Sequence, residues 1–472
     1  MPTLRTVLIC TPSHSLQGGV ERIVESVAMG LPGHGFRVVV ALARGERFHL
    51  PERYRRAYPR LECVDLDGRS GTRAGRVRGV RRVLDQVRPD VVLNARLFDV
   101  YEAVVAHKER GEPVRLAVTL QTYEADYVAD LAAYAEWVDL CVTSGKLINA
   151  ALRHFTRLPD ECVLSVPGGV RPATHPVVPD DGRPLRLGYV GRLEAAQKRI
   201  FDLVDLLATL VGVGIPFTFQ VAGGGPAEPE LRQRLTQRGL EQYVTFHGWV
   251  STERLYEELY PNLDVLLHFA AWEGVPIAPR EAMAHGVVPV VSRFVGCVAE
   301  GEFVHEETAL VFEVANMQQA AAQMRRLHED RTLLRRLSAA ARRSQEGVRS
   351  DRGGIAAWAE ALTRALGLPP RRGPCVPRLP WPPSGRLERW GMPPNWAEAL
   401  RRWSGRKSLH TEPGGEWPHA SGLADPLRLR AIADFAATYE SEVRQKLLAP
   451  AARSPSAGAG ANESARLRIG PV

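Results

Sequence analysis

The sequence predicts an α/β protein built as two doubly wound domains facing a cleft, followed by an irregular C-terminal extension. Three observations lead there. Short apolar runs alternate with segments of helical period along most of the 472 residues, as a parallel sheet with crossover helices requires. A stretch rich in Pro and Asp, 171–184, splits that alternation in two. At 367 the composition turns abruptly to Pro, Arg and Trp. The expected divisions are 1–170, a linker at 171–184, 185–366, and an extension at 367–472.

In the first half, Thr6–Cys10 reads as a strand, and Gly18-Gly19 opens a helix with Val20, Ile23, Val24, Val27 and Leu31 on one face. This strand, glycine loop and helix lack G-x-G-x-x-G, which argues against a nicotinamide cofactor. Arg37–Ala43 is the next strand. A helix then carries Val77, Val80, Leu84 and Val87 on one face, with Arg76, Arg78, Arg81, Arg82 and Arg88 around the rest. It is expected at the surface with its arginines solvated. Its alternative reading is a peripheral contact with anionic lipid through the Arg76–Arg88 helix. Asp90–Leu93, Val114–Thr119 and Asp139–Thr143 follow as strands, with Gln121 just past the second and Ser144 expected to cap a helix running to about Phe155. Cys162–Val166 leads into a turn at Pro167-Gly-Gly-Val170.

In the second half, Leu185–Val190 ends at two cations, Arg192 and Lys198, placed to clamp a diphosphate. Phe217–Ala222 runs into Gly223-Gly-Gly225-Pro226, which is not a P-loop because no G-K-[ST] follows. After Val244–His247 comes the most informative stretch. Asp264–His268 and Val287–Val291 are strands, Gly274 and Pro276 mark a loop, and Glu281–Gly286 is a short helix. Two carboxylates, Glu273 and Glu281, thus flank a loop that opens onto a helix N-terminus at the carboxyl end of a strand. Open α/β sheets bind ligands there, and phosphate suits such a terminus. Met317 to Leu366 is rich in helix, its last part, Ile355–Leu366, expected to cross back to the first domain.

The net charge of +8 fits nucleic acid, an anionic membrane or anionic small molecules equally. Nucleic acid is disfavoured because the arginines are not interleaved with aromatic residues. Six cysteines without CxxC spacing argue against zinc and against a disulfide framework. No run reaches the roughly 18 apolar residues of a membrane span, and the first residues are too few for a signal peptide. The chain is therefore expected in the cytoplasm, with the inner membrane face as the alternative.

The string from Glu273 to Val291 resembles the Glu-x7-Glu signature of retaining glycosyltransferases of family 4, which have the GT-B fold of two Rossmann-like domains. Glu273, Gly274, Pro276, Glu281, Ala282, Met283, Ala284, Gly286, Pro289, Val290 and Val291 match it, and Gly18, Gly19, Glu21 and Arg22 match the family's G-G-x-E-R. The resemblance covers about 4–366. It implies transfer of a sugar from a nucleoside-diphosphate sugar to a hydroxyl of a glycan, lipid-linked or small-molecule acceptor, with retention, in polysaccharide biosynthesis. It implies catalytic roles for Glu273, Arg192 and Lys198, and ribose binding by Glu281. It implies donor contacts from Gly274, Val275, Pro276, Gly18, Gly19, Gly223, Gly225 and Gln121, with no metal and no cofactor beyond the donor. Gln121 stands where many members carry histidine, and Gly168 where they carry asparagine. A non-catalytic nucleotide-sugar-binding protein and a sugar-nucleotide isomerase of the same fold are the alternatives. The 367–472 tail, with one helix at Asp425–Leu448 and a disordered end, receives no function.

Overall fold

The computed structural model describes residues 4–16, 18–166, 169–171, 173, 177, 179, 183–346 and 351–448. Parts of the 167–170 turn and most of the 171–184 linker lie outside them, as does the end of the tail from 449 onward.

Seven parallel strands form the first sheet: β1 (Arg5–Thr11), β2 (Phe36–Arg44), β3 (Cys63–Asp67), β4 (Val91–Asn94), β5 (Arg115–Leu120), β6 (Leu140–Thr143) and β7 (Val163–Ser165), in the order β3-β2-β1-β4-β5-β6-β7. Six more form the second: β8 (Leu185–Val190), β9 (Phe217–Ala222), β10 (Val244–Gly248), β11 (Val265–His268), β12 (Val288–Ser292) and β13 (Leu310–Phe312), in the order β10-β9-β8-β11-β12-β13. All the pairings are parallel. The apolar runs are central strands because helices cover both faces; Val7, Leu8, Ile9 and Cys10 are all fully buried. Strand order reverses between β1 and β4 in the first sheet and between β8 and β11 in the second, which leaves a crevice at each carboxyl edge.

Ser144 does not cap its helix. The helix is Lys146–Phe155, with extended Gly145 at its cap, and the Ser144 hydroxyl donates instead to the Gln121 carbonyl, 3.1 Å away. The helix's first amides, Lys146 and Leu147, donate to the Glu300 carboxylate of the second domain at 2.8 and 3.0 Å. A carboxylate suits a helix N-terminus better than a hydroxyl does, so the cap comes from across the domain boundary.

The helix Asp351–Gly367 returns to the first domain. Ile355, Trp358, Ala359 and Leu362 share a buried cluster with Val7, Ile9, Val38 and the helix Gly19–Gly30.

The extension holds four helices, Arg386–Arg389, Pro394–Ser404, Pro413–Glu416 and Pro426–Leu448, and packs on the first domain through the last three. Its Pro-rich composition forms no core of its own, yet it inserts Trp417, Ile432 and Ala436 into the host core. The Trp417 indole donates to the Arg44 carbonyl at 2.9 Å. This alters the reading of the basic helix, which spans Arg73–Val87. Arg76 is 6 % exposed, its Nε donating to Asp99 at 2.6 Å and its Nη1 to the Gly71 carbonyl at 2.9 Å. The helix Pro394–Ser404 lies against it, with Glu398 accepting from the Ser70 and Thr72 hydroxyls. The arginines were expected in solvent; the extension covers part of that face instead. Among the described residues, no helix is long and apolar enough to cross a membrane.

Trp417 is 1 % exposed, so Trp417→Ala is expected to cost about 3–5 kcal/mol in denaturant unfolding. A loss below about 1 kcal/mol would show the extension to be a loose appendage rather than part of the core.

Candidate active site

The ends of the strands flanking both reversals open on one cavity of about 520 Å³. The first domain contributes His14 and Gly18-Gly19 after β1, Arg96 after β4 and Gln121 after β5; the second contributes Arg192 and Lys198 after β8, Gly223 after β9, and Glu273 and Val275-Pro276 after β11. The cleft is thus built from loops on two rigid sheets.

Lys198 and Glu273 form an ion pair whose partners are both largely buried. His268 Nε2 lies 3.5 Å from the same Glu273 oxygen. Burial, helped by Lys198 and opposed by Glu273, lowers His268 to about 4, so the ring is neutral and the carboxylate charge is met by lysine. Glu194 holds the loop in shape by accepting from the amides of Ala196, Gln197 and Lys198 at 2.7, 2.7 and 3.2 Å. Arg192 Nη2 donates to Gln197 at 3.0 Å, and Gln197 in turn donates to the Trp272 carbonyl at 3.1 Å. Two helices, Gly19–Gly30 and Ile277–Ala284, start at the cavity with no side-chain cap, leaving amide donors and positive dipole ends there.

The predicted site residues divide. Gly18, Gly19, Gln121, Arg192, Lys198, Gly223, Glu273, Val275 and Pro276 line the cavity. Gly225, Gly274 and Glu281 do not. Gly225 packs against the Leu193 backbone, and Gly274 presses on the Gln121 carbonyl, where a Cβ would collide. Gly223 has φ +138°, a conformation that favours glycine, and packs on the Gly191 carbonyl. Gln121 donates its own amide to the Thr119 hydroxyl at 2.5 Å.

Glu281 differs most from expectation. Expected on ribose hydroxyls, it is 1 % exposed and pairs with Arg22 of the first domain at 2.5 Å. The Tyr256 and Tyr260 hydroxyls donate to its two oxygens at 3.3 and 2.8 Å. The carboxylate therefore binds across the domains rather than into the cavity.

A second group was missed in the sequence. His14 Nδ1 lies 3.2 Å from His49 Nε2, and His49 Nδ1 lies 3.2 Å from Glu416 Oε2. Glu416, in the extension, also accepts from the amides of Glu46, Arg47, Phe48 and His49 at 2.7–3.0 Å. Burial alone would raise its pKa; the amides and His49 outweigh this and hold it at about 2. His419, also in the extension, lines the cavity with its ring 5.3 Å from that of His14. Arg96 beside them has φ +72°, a strained position for a non-glycine residue at a cleft. Trp249, 47 % exposed, offers an aromatic face at the cavity. No spacing rule connects His14 to Glu416, so only their shared fold could reveal the group.

Two Rossmann-like domains joined over such a cleft are the GT-B architecture. Residues 170–344 match the family described as glycosyl transferases group 1. Among curated proteins, the chain is 27% identical over 224 residues to the lipopolysaccharide 1,6-galactosyltransferase of Salmonella typhimurium, covering 47% of this chain and 60% of that one. It is 41% identical over 73 residues to the alpha-D-kanosaminyltransferase of Streptomyces kanamyceticus, covering 16% of this chain and 18% of that one. The chain thus covers less than two thirds of the length of these curated relatives. Two solved structures share the fold. A lipopolysaccharide outer core galactosyltransferase superposes with TM-score 0.60 at 17% identity, over 76% of this chain and 99% of that one. Anabaena HepE in complex with UDP-glucose superposes with TM-score 0.63 at 17% identity, over 76% and 99%.

Removing one partner of a buried ion pair strands the other, so Arg22→Ala and Glu281→Ala are each expected to destabilise by about 3 kcal/mol. The double variant should fall short of their sum by about 1 kcal/mol or more in a denaturation cycle; additive losses would mean the two do not interact. The Glu416 carboxyl supplies a pH signature. Its folded value of about 2 lies below the ordinary 4.5, so its stabilisation is full above 4.5 and is lost as pH falls toward 2. Acid unfolding of Glu416→Gln should therefore be less steep than wild type across that window; parallel curves would count against the assignment.

Proposed function

We propose that this chain transfers a glycosyl group from a nucleoside-diphosphate sugar to a hydroxyl acceptor. The observation that carries the reading is convergence: Arg192, Lys198 and two uncapped helix N-termini meet Glu273 in one cleft. Departure of a nucleoside diphosphate builds negative charge, and fixed cations and amide dipoles aimed at that charge lower the barrier. Lys198 and Arg192 take the diphosphate with the amides that begin Ile277–Ala284. Glu273, oriented by Lys198, accepts hydrogen bonds from donor-sugar hydroxyls beside the reacting carbon. Gly223 and the exposed face of Trp249 take the nucleotide base. Glu281 serves this site by fixing Arg22 and the domain arrangement. Retention of configuration follows from the likeness to the Glu-x7-Glu family. The names of the two curated relatives, a lipopolysaccharide 1,6-galactosyltransferase and an alpha-D-kanosaminyltransferase, support a glycan or other polyhydroxyl acceptor.

A panel of nucleoside diphosphates and their sugars, screened by thermal shift, tests the reading. One nucleotide should raise the melting temperature by mass action, and Lys198→Ala should lose most of that shift. With the stabilising donor, Lys198→Ala and Arg192→Ala should each release nucleoside diphosphate about 10²–10³-fold more slowly. If no nucleotide at millimolar concentration stabilises wild type, the transferase reading fails.

A further inference from the structure

Glu416 has a structural task, tying the extension to the 46–49 loop through four amides. That task does not require the His49 ring, nor the continuation from it to a histidine in the cleft. Their hydrogen-bond order fixes the chemistry. A carboxylate can only accept, so His49 Nδ1 carries the proton and its Nε2 is bare. The bare Nε2 accepts from His14 Nδ1–H, which leaves His14 Nε2 unprotonated as the nitrogen available to the cleft. His419 arrives at the same state separately. Its Nδ1 donates to the Arg96 carbonyl at 2.9 Å, so its Nε2 is bare as well.

All three rings are neutral. His14 is lowered chiefly by burial; among the charged groups facing it, Glu21 and Glu416 oppose this while Arg96 and Arg192 reinforce it. His49 is lowered to about 4 by burial and by His14, with Arg76 adding to this and Glu416 opposing. Burial and Arg96 take His419 to about 3, with His14 and His49 reinforcing. Two bare imidazole nitrogens beside Arg96 form an acceptor-rich wall, suited to a ligand that presents hydroxyl donors. Arg192, on the opposite domain, acts on His14 electrostatically, so this wall and the diphosphate clamp share one space.

We propose that the extension completes a second subsite in the cleft, in which Glu416 and His49 hold His14 as the base for the attacking hydroxyl of a polyhydroxyl acceptor, with His419 as a neighbouring hydrogen-bond acceptor. This rests on the transferase reading above. On the face from which the diphosphate departs, as retention requires, the hydroxyl oxygen bonds to the anomeric carbon while the carbon–oxygen bond to the diphosphate breaks and its electron pair leaves on phosphate. The hydroxyl proton passes to His14 Nε2, and the imidazolium is stabilised through His49 by the Glu416 carboxylate. Glu416 and His49 are positioning residues; His14 touches the substrate.

The first test needs no substrate. In wild type at pH 7, the His14 ring nitrogens, assigned by comparison with His14→Ala, should report in 15N NMR a neutral ring with Nδ1 protonated and Nε2 bare. The opposite tautomer or a charged ring overturns the proposal. The second uses the full chain and the nucleotide sugar found by thermal shift, with water as acceptor, and follows release of nucleoside diphosphate from pH 5 to 9. His14→Ala should keep the thermal shift and the donor KM, lower kcat at least about tenfold, lose the acid limb of the profile, and regain rate with added imidazole. His49→Gln should lower kcat and alter the acid limb while keeping the donor KM. If His14→Ala keeps the wild-type rate and profile, the subsite has no catalytic part and the proposal falls. A protein that no nucleotide sugar stabilises overturns the transferase reading and the proton step with it, while the NMR result still decides the tautomer chain.

Discussion

The arrangement of the two domains depends on a carboxylate that cannot stay buried alone. Glu281 sits on a short helix of the second domain with almost no solvent contact. Leaving such a charge unpaired costs several kcal/mol, far more than a surface ion pair gives back. Its counter-charge comes from the first domain, as Arg22 on the helix that follows β1. Two tyrosine hydroxyls take up remaining lone pairs, so the group is satisfied only when the domains meet at this point. The position of the Gly18-Gly19 loop opposite Arg192 and Lys198 follows from that requirement.

Other contacts across the boundary have the same character. Glu300 caps the helix Lys146–Phe155, and Glu440 of the extension accepts from the amides of Gly296, Val298 and Ala299 at 2.9–3.1 Å. In each case an acid meets amide donors that secondary structure leaves over. Gly274 adds a different kind of contact, with backbone pressed on backbone at the Gln121 carbonyl. Gly274 therefore serves domain packing directly.

Much of this was legible in the sequence, for physical reasons. Central parallel strands are apolar on both faces, so β1 and β11 show as near-continuous runs close to where they fold. β3, at the sheet edge with Asp65 and Asp67 in a half-buried strand, has no such run and went unread. The Glu273 loop was readable because its residues are adjacent in the chain. Glu281 was readable as a motif member but not in its contacts, since the chain does not announce that Arg22 arrives from 259 positions away. The His14, His49 and Glu416 chain was invisible for the same reason. The extension misled through composition: Pro, Arg and Trp suggested an irregular segment with no core, whereas a few apolar side chains suffice when a host core receives them.

The helix Pro426–Leu448 packs on the first domain and reaches the second through Glu440. Together with the returning helix Asp351–Gly367, it makes the order of the chain differ from the order of the bodies. The first domain is assembled from two separate stretches of sequence, the second running from the returning helix through the extension, and the second domain is one uninterrupted insert between them. Exchange of the second domain between relatives is therefore a two-junction operation, with cuts before β8 and ahead of Asp351. A single crossover in the linker would carry away the returning helix and the extension, and leave the recipient without Trp358, Trp417 and the glutamate behind His49.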